Sequence, residues 1–222
     1  GNVTIPGAPE VVAIAAGSSH ALALRASGAV VSFGYYTNIP AGLSNMVAVA
    51  AGDNHSLALR ADGLVVGWDY YGNDGGKFGI RSGLSNVVAI AVGGDQNLAL
   101  RRDGTVVAWH VLYAGETNVP PGLSNVIAIS VGSGHALALK ADGTVVAWGG
   151  NWAGQSTVPF WLSNVVQIAA GGNHSLALRG SPAGVAAPVP VSPHVMIGTA
   201  DRPFFQRILV KNTASSYGAS GL

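Results

Sequence analysis

A chain of 222 residues with a formal charge of +1 has no field that would gather nucleic acid or anionic lipid. It has no cysteine, which excludes disulfides and thiolate metal sites, and no apolar run reaches the roughly 18 residues that would cross a bilayer. Apolar residues make up 49 %, charged residues 9 %, and glycine occurs 32 times, the make-up of a folded chain rich in tight turns.

The first segment, Asn2-Val3-Thr4-Ile5-Pro6, returns as Thr37-Asn38-Ile39-Pro40 and Thr117-Asn118-Val119-Pro120. It reads as the closing strand of a repeat, placed ahead of the first copy, where it would complete the last copy and shut a ring. From Val11 a unit begins that occurs five times: an apolar run, a glycine turn, then a strand of the form His-Ala-Leu-Ala-Leu. The turn glycines Gly17, Gly52, Gly93, Gly132 and Gly171 follow one another at 35, 41, 39 and 39 residues. Self-similarity at such a period marks a propeller, solenoid or array.

The fourth copy is the most regular. Residues 126–131 are β-branched and apolar on both faces, and Gly132-Ser133-Gly134 makes the turn. In 135–140, His135, Leu137 and Leu139 share one face, and Ala136, Ala138 and Lys140 the other. Asp142-Gly143 is a hairpin signal, 144–148 returns as a third strand, and Thr157-Val158-Pro159 predicts a fourth, short edge strand. Four short antiparallel strands per ~40 residues describe a propeller blade. The expected fold is therefore all-β, with residues 1–180 forming a β-propeller of five ~39-residue repeats, as a closed ring or as an open, incomplete array. Residues 181–193, with Pro182, Pro188, Pro190 and Pro193, read as a Pro-rich linker to a last segment, 194–222.

The pattern V-V-A-I-A-A-G-x-x-H-S-L-A-L-x-x-D-G-x-V-V-A-W-G resembles the repeats of the regulator of chromosome condensation family. Connectors such as Gly154-Gln155-Ser156-Thr157-Val158-Pro159 and Gly122-Leu123-Ser124-Asn125 are similar to those of its bacterial short-repeat branch. The resemblance implies a β-propeller, commonly of seven blades, and a role in binding proteins. The family includes a chromatin-bound guanine-nucleotide exchange factor, with longer repeats and a basic tail, and a secreted inhibitor of a β-lactamase. Residues 202–212 and 216–222 resemble the opening strands of bacterial immunoglobulin-like surface domains. Such a sandwich needs ~100 residues, so 194–222 reads as a truncated immunoglobulin-like segment, a partial β-sandwich. That resemblance implies a secreted or cell-surface protein.

His20, His55, His135 and His174 share one repeat position, with Gln96 in the third copy. A zinc site needs ligands at about 2 Å from one centre, whereas equivalent positions in successive blades lie apart. They are expected to be buried blade residues that hydrogen-bond backbone near their own glycine turns. In His55-Ser56 and His174-Ser175 the neighbours point to opposite faces of a strand, so neither pair makes a nucleophile and base within its strand. Asp62, Asp103 and Asp142 belong to hairpin turns, and the faint calcium-loop likeness of residues 69–76 reads as a polar loop. No catalytic residue, cofactor or metal ligand is expected, and the chain is not read as an enzyme.

The loops after each third strand vary while the strands repeat. From the aromatic ending that strand to the leucine before Ser-Asn they span 10 residues in the first copy (Phe33 to Leu43), 16 in the second and 14 in the next two. They carry Tyr35, Tyr36, Tyr70, Tyr71, Phe78, Tyr113, Trp152 and Trp161, the candidate ligand-binding residues. The expected function is a non-catalytic binding propeller of a secreted or cell-surface bacterial protein, recognising a protein or glycan through this aromatic face. No nucleic acid and no membrane insertion are expected. One alternative is a structural subunit that self-associates through open blade edges and orphan strands, and another is an inhibitor of a secreted enzyme.

Overall fold

A computed structural model describes residues 10–35, 38–69, 84–110 and 118–180. Fourteen strands lie in five antiparallel sheets, and the described residues contain no α-helix. Blade 1 is β1 (Val11–Ala16), β2 (His20–Arg25) and β3 (Val30–Gly34). Blade 2 is β4 (Met46–Ala51), β5 (His55–Arg60) and β6 (Val65–Asp69), and blade 3 is β7 (Val87–Gly93), β8 (Gln96–Arg101) and β9 (Val106–His110). Blade 4 is β10 (Val126–Val131), β11 (His135–Lys140) and β12 (Val145–Gly149), and blade 5 is β13 (Val165–Ala170) with β14 (Ser175–Arg179). The five repeats and their strand order agree with the sequence reading. The fourth strand does not: residues 157–159, like 38–40 and 118–120, join no sheet. Proline closes each of these segments and removes a ladder donor, so that among the described residues blades 1 to 4 have three paired strands and blade 5 has two. The opening segment 2–6, the linker 181–193 and the immunoglobulin-like segment 194–222 lie outside the described residues.

Register follows from the hairpins. Asp142 Oδ1 accepts from the backbone N–H and the hydroxyl of Thr144 at 2.9 and 2.6 Å, and Gly143 takes φ 78°, so the chain turns from β11 to β12 through residues 141–143, closed by Lys140 N–H on Thr144 O at 2.9 Å. Those bonds, with Lys140 beside them, hold the Asp142 carboxyl at about 2. Asp62 is held at about 2 by Arg60 first and then by the Leu64 N–H. The first two strands of each blade share one irregularity, between Val126 and Ala128 in blade 4.

Blades are stitched at both ends. At the glycine-turn end, Asp53 N–H donates to Gly94 O at 3.1 Å and Ser133 N–H to Gly172 O at 3.3 Å, each in the next blade. At the hairpin end, Val126 N–H donates to Gly104 O at 3.1 Å and Val165 N–H to Gly143 O at 3.0 Å, each in the preceding blade. The residue before each of these strands, Asn45, Asn86, Asn125 or Asn164, sits at φ 56–58°, a left-handed conformation that asparagine tolerates. Its carbonyl accepts from the following hairpin, as Asn125 O does from Ala141 N–H at 2.9 Å.

Between blades, the leucine face of one meets the valine, isoleucine and tryptophan face of the next. Leu22 and Leu24 pack with Met46, Val49, Ala58 and Trp68. Leu57 and Leu59 pack with Val87, Ile90, Ala99 and Trp109, Leu98 and Leu100 with Val126, Ile129, Ala138 and Trp148, and Leu137 and Leu139 with Val165 and Ile168. A like interface forms four times, the fourth without its tryptophan, burying leucines against the branched aliphatics of the next blade. Its two halves reappear unmated at the ends of the array. Leu176 and Leu178 of blade 5 are exposed, and so is Ile14 of blade 1, although its counterparts Val49, Ile90, Ile129 and Ile168 are buried.

Candidate functional site

The repeated histidine is the most regular polar feature of the interior. Nε2 of His20 lies 2.8 Å from Ser56 Oγ, that of His55 2.7 Å from Asn97 Oδ1, and that of His135 2.9 Å from Ser175 Oγ. Each bond crosses to the next blade and ends on the residue that follows that blade's own histidine or glutamine. This corrects the expected bond to backbone near the glycine turn. The imidazole does lie on its own turn, because a Cβ at Gly132 would collide with the His135 ring and with Gly171 O of blade 5. Its hydrogen bond, however, goes sideways.

These bonds set the proton. Asn97 Oδ1 can only accept, and the Ser175 hydroxyl donates to Gln155 O at 2.7 Å, so the ring donates from Nε2. Nδ1 of His135 is then a bare, buried lone pair with no partner. Burial, and then the charge of His174, push His135 below the usual histidine range; burial and His55 do the same to His20.

Strand alternation forbids a histidine–serine pair within one strand, yet the array makes such pairs between blades. The same contact recurs in the buried interior at His20–Ser56, where no substrate reaches, and the Ser175 proton points to a carbonyl. The geometry is that of a packing rung. Among the described residues, no three His, Asp or Glu side chains gather as a metal site would require. A shallow cleft of about 370 Å³ lies between the hairpins of blades 1 and 2, where Arg60 is engaged by Asp62 at 2.6 Å.

Of the aromatic candidates, Tyr35, Trp152 and Trp161 are described and all are exposed; Tyr36, Tyr70, Tyr71, Phe78 and Tyr113 lie outside the described residues. Tyr35 stands at the glycine-turn end, its N–H donating to Ser19 O at 2.9 Å. Trp152 begins the connector from β12 to β13 at that same end, where Gly150 N–H meets Gly134 O at 2.7 Å. Trp161 comes late in this connector, which then returns to the hairpin end at Val165. The first turn of the connector is well fixed: Asn151 Oδ1 accepts from Ser156 N–H at 3.0 Å, and Gln155 Oε1 from Ala153 N–H at 2.8 Å.

Phe160 was not among the candidates, and it is 100 % exposed. Its signal lies in the alignment of the chain's own connectors: Pro40-Ala41-Gly42, Pro120-Pro121-Gly122 and Pro159-Phe160-Trp161. Gly42 and Gly122 turn at φ 85° and 77°. Trp161 is not among the positive-φ residues, although Leu162 N–H still donates to Pro159 O at 2.9 Å, so the turn is kept and its conformation changed. Two adjacent exposed aromatics thus replace the small residues that serve elsewhere.

Residues 11–38, 46–68 and 126–155 match the regulator of chromosome condensation (RCC1) repeat. No curated protein matches the chain in sequence. The fold is similar to that of human WBSCR16 (22 % identity, TM-score 0.62, covering 77 % of this chain and 58 % of that one). It is also similar to Prp20p from Saccharomyces cerevisiae (21 %, 0.62, 78 % and 57 %), studied for its binding to Gsp1p and histones. A third similar structure is yeast RCC1 (Prp20) in complex with Kap60 (25 %, 0.59, 76 % and 53 %). The chain spans little more than half the length of each of these. In three matched segments and in the fold of its blades, it is similar to the RCC1 repeat propellers.

Proposed function

We propose that this chain is a non-catalytic binding propeller that recognises a protein partner through exposed aromatics on its connectors. The observation that carries the reading is the single connector between β12 and β13, which presents Trp152, Phe160 and Trp161 to solvent from a hydrogen-bonded frame. Large aromatic surface on a rigid loop adds nothing to the blade core and is the usual anchor of an interface. The yeast relative bound to Kap60 supports a protein as the partner class. A secreted or cell-surface setting in bacteria rests on the resemblance of the connectors and of residues 202–222.

The test is the emission of the exposed tryptophans. A partner that covers them moves their fluorescence to shorter wavelength and does so saturably. Titrating the chain with a secreted β-lactamase, and separately with a panel of soluble oligosaccharides, separates protein from glycan recognition. Binding that survives in the W152A/F160A/W161A variant would rule out this connector as the site.

A further inference from the structure

The rungs between blades differ, and the differences are paired. His20 meets Ser56, His55 meets Asn97 and His135 meets Ser175. The one blade that carries glutamine at this position, blade 3 with Gln96, precedes the one internal blade that carries alanine at the receiving position, Ala136. A histidine whose Nε2–H is buried needs an acceptor on the next blade, and alanine offers none. Both Gln96 and Ala136 are fully buried, so their interface is closed without a rung of the histidine type.

At the two ends of the array this pairing fails. Blade 5 presents His174 with Leu176 and Leu178, the face that in every other blade is covered by a neighbour. Blade 1 carries an exposed Ile14 and half-buried Val11 and Phe33 at the positions of the Ile90, Val87 and Trp109 that receive such a face, but its receiving rung residue is Ala21. The apolar halves are complementary while the rung is not.

We propose that the rung selects which blade stacks on which, and that the exposed face of blade 5 is a docking surface for a blade of this repeat type carrying serine or asparagine at the receiving position. Blade 1 of the same chain, or of a second copy, is disfavoured there because Ala21 offers no acceptor to an imidazole N–H of His174 once that face is covered. The four stacked interfaces inside the chain are the pattern that this surface continues. It is separate from the aromatic connector and does not depend on it.

Two single changes convert the mismatch into pairs the chain already uses. Ala21→Ser recreates the His–Ser rung, and His174→Gln recreates the Gln–Ala combination of blades 3 and 4. Serine is housed at this position in blades 2 and 5, and glutamine in blade 3, so each variant is built from residues the repeat accommodates. Sedimentation of the full chain over a range of concentrations reads the result. Each variant is expected to associate head to tail about ten- to a hundredfold more tightly than the unmodified chain, the factor that follows from satisfying one buried donor. Ala21→Val should leave association at the unmodified level, and Leu176→Glu in the Ala21→Ser background should abolish it. Circular dichroism and melting confirm that each variant is folded; if one is not, the other carries the test. The proposal is overturned if the unmodified chain associates as tightly as both variants. It is equally overturned if neither folded variant gains, if Ala21→Val gains as much as Ala21→Ser, or if Leu176→Glu leaves association intact.

Discussion

Nε2 of His55 and Oδ1 of Asn97 lie 2.7 Å apart across the interface of blades 2 and 3, with both side chains buried. Neither residue's own strand supplies this bond. Asn97→Ala should therefore strand a buried donor and cost about 1–3 kcal/mol in urea unfolding. The double variant His55→Gln/Asn97→Ala, which copies the Gln96–Ala136 combination, should recover part of that loss. An unchanged unfolding midpoint for Asn97→Ala would mean that the ring acts only as filler.

The lowered histidines set a pH dependence. His20 and His135 are held neutral in the fold, chiefly by burial, while their unfolded values sit near 6.5. Protonation therefore favours the unfolded chain. Their contribution to stability is complete above about pH 6.5 and is lost as pH falls through the lower folded values. Melting temperature should drop between pH 7.5 and 5, and the drop should be smaller in His135→Gln. An equal drop in that variant would assign the effect to other groups.

Leu137 and Leu176 occupy the same place in their repeats, and the first is 2 % exposed while the second is 63 % exposed. Leu137→Ala removes packing between blades 4 and 5 and should cost about 2–5 kcal/mol. Leu176→Ala should change stability by about 0.5 kcal/mol or less. Equal costs in chemical denaturation would show that the face of blade 5 is already covered in solution.

Asn125 turns at φ 58° before β10, and its carbonyl holds the hairpin at Ala141. Asn125→Gly should be tolerated, whereas Asn125→Val should lose about 1–2 kcal/mol from the left-handed backbone. Thermal unfolding of the two variants reads the difference directly, and similar melting temperatures would contradict it.

Trp152, Phe160 and Trp161 should be removable together with little loss of stability, about 0.5 kcal/mol for each exposed site. Unfolding of the triple variant would show that these rings are lids on the blade ends rather than anchors.

Much of the fold was legible because its determinants are local. Glycine turns, Asp-Gly hairpins and period-two alternation each act over a few residues, and five copies let each correct the others. The fourth strand was misread because Thr157-Val158-Pro159 has strand propensity, but its pairing depends on a neighbour that its proline discourages. Among the binding candidates, Tyr35, Trp152 and Trp161 were visible as aromatics in variable loops, while Phe160 emerged only once its exposure was known.

The sequence by itself determined the strands, their order within a blade and the positions of the turns, since those follow from backbone preference and side-chain alternation. Only the tertiary structure decided what each face touches. His135 and His174, or Leu137 and Leu176, stand in nearly identical local sequence, yet one of each pair is buried against a neighbouring blade and the other is exposed. Burial between blades is a property of two stacked sheets, and no single repeat contains it.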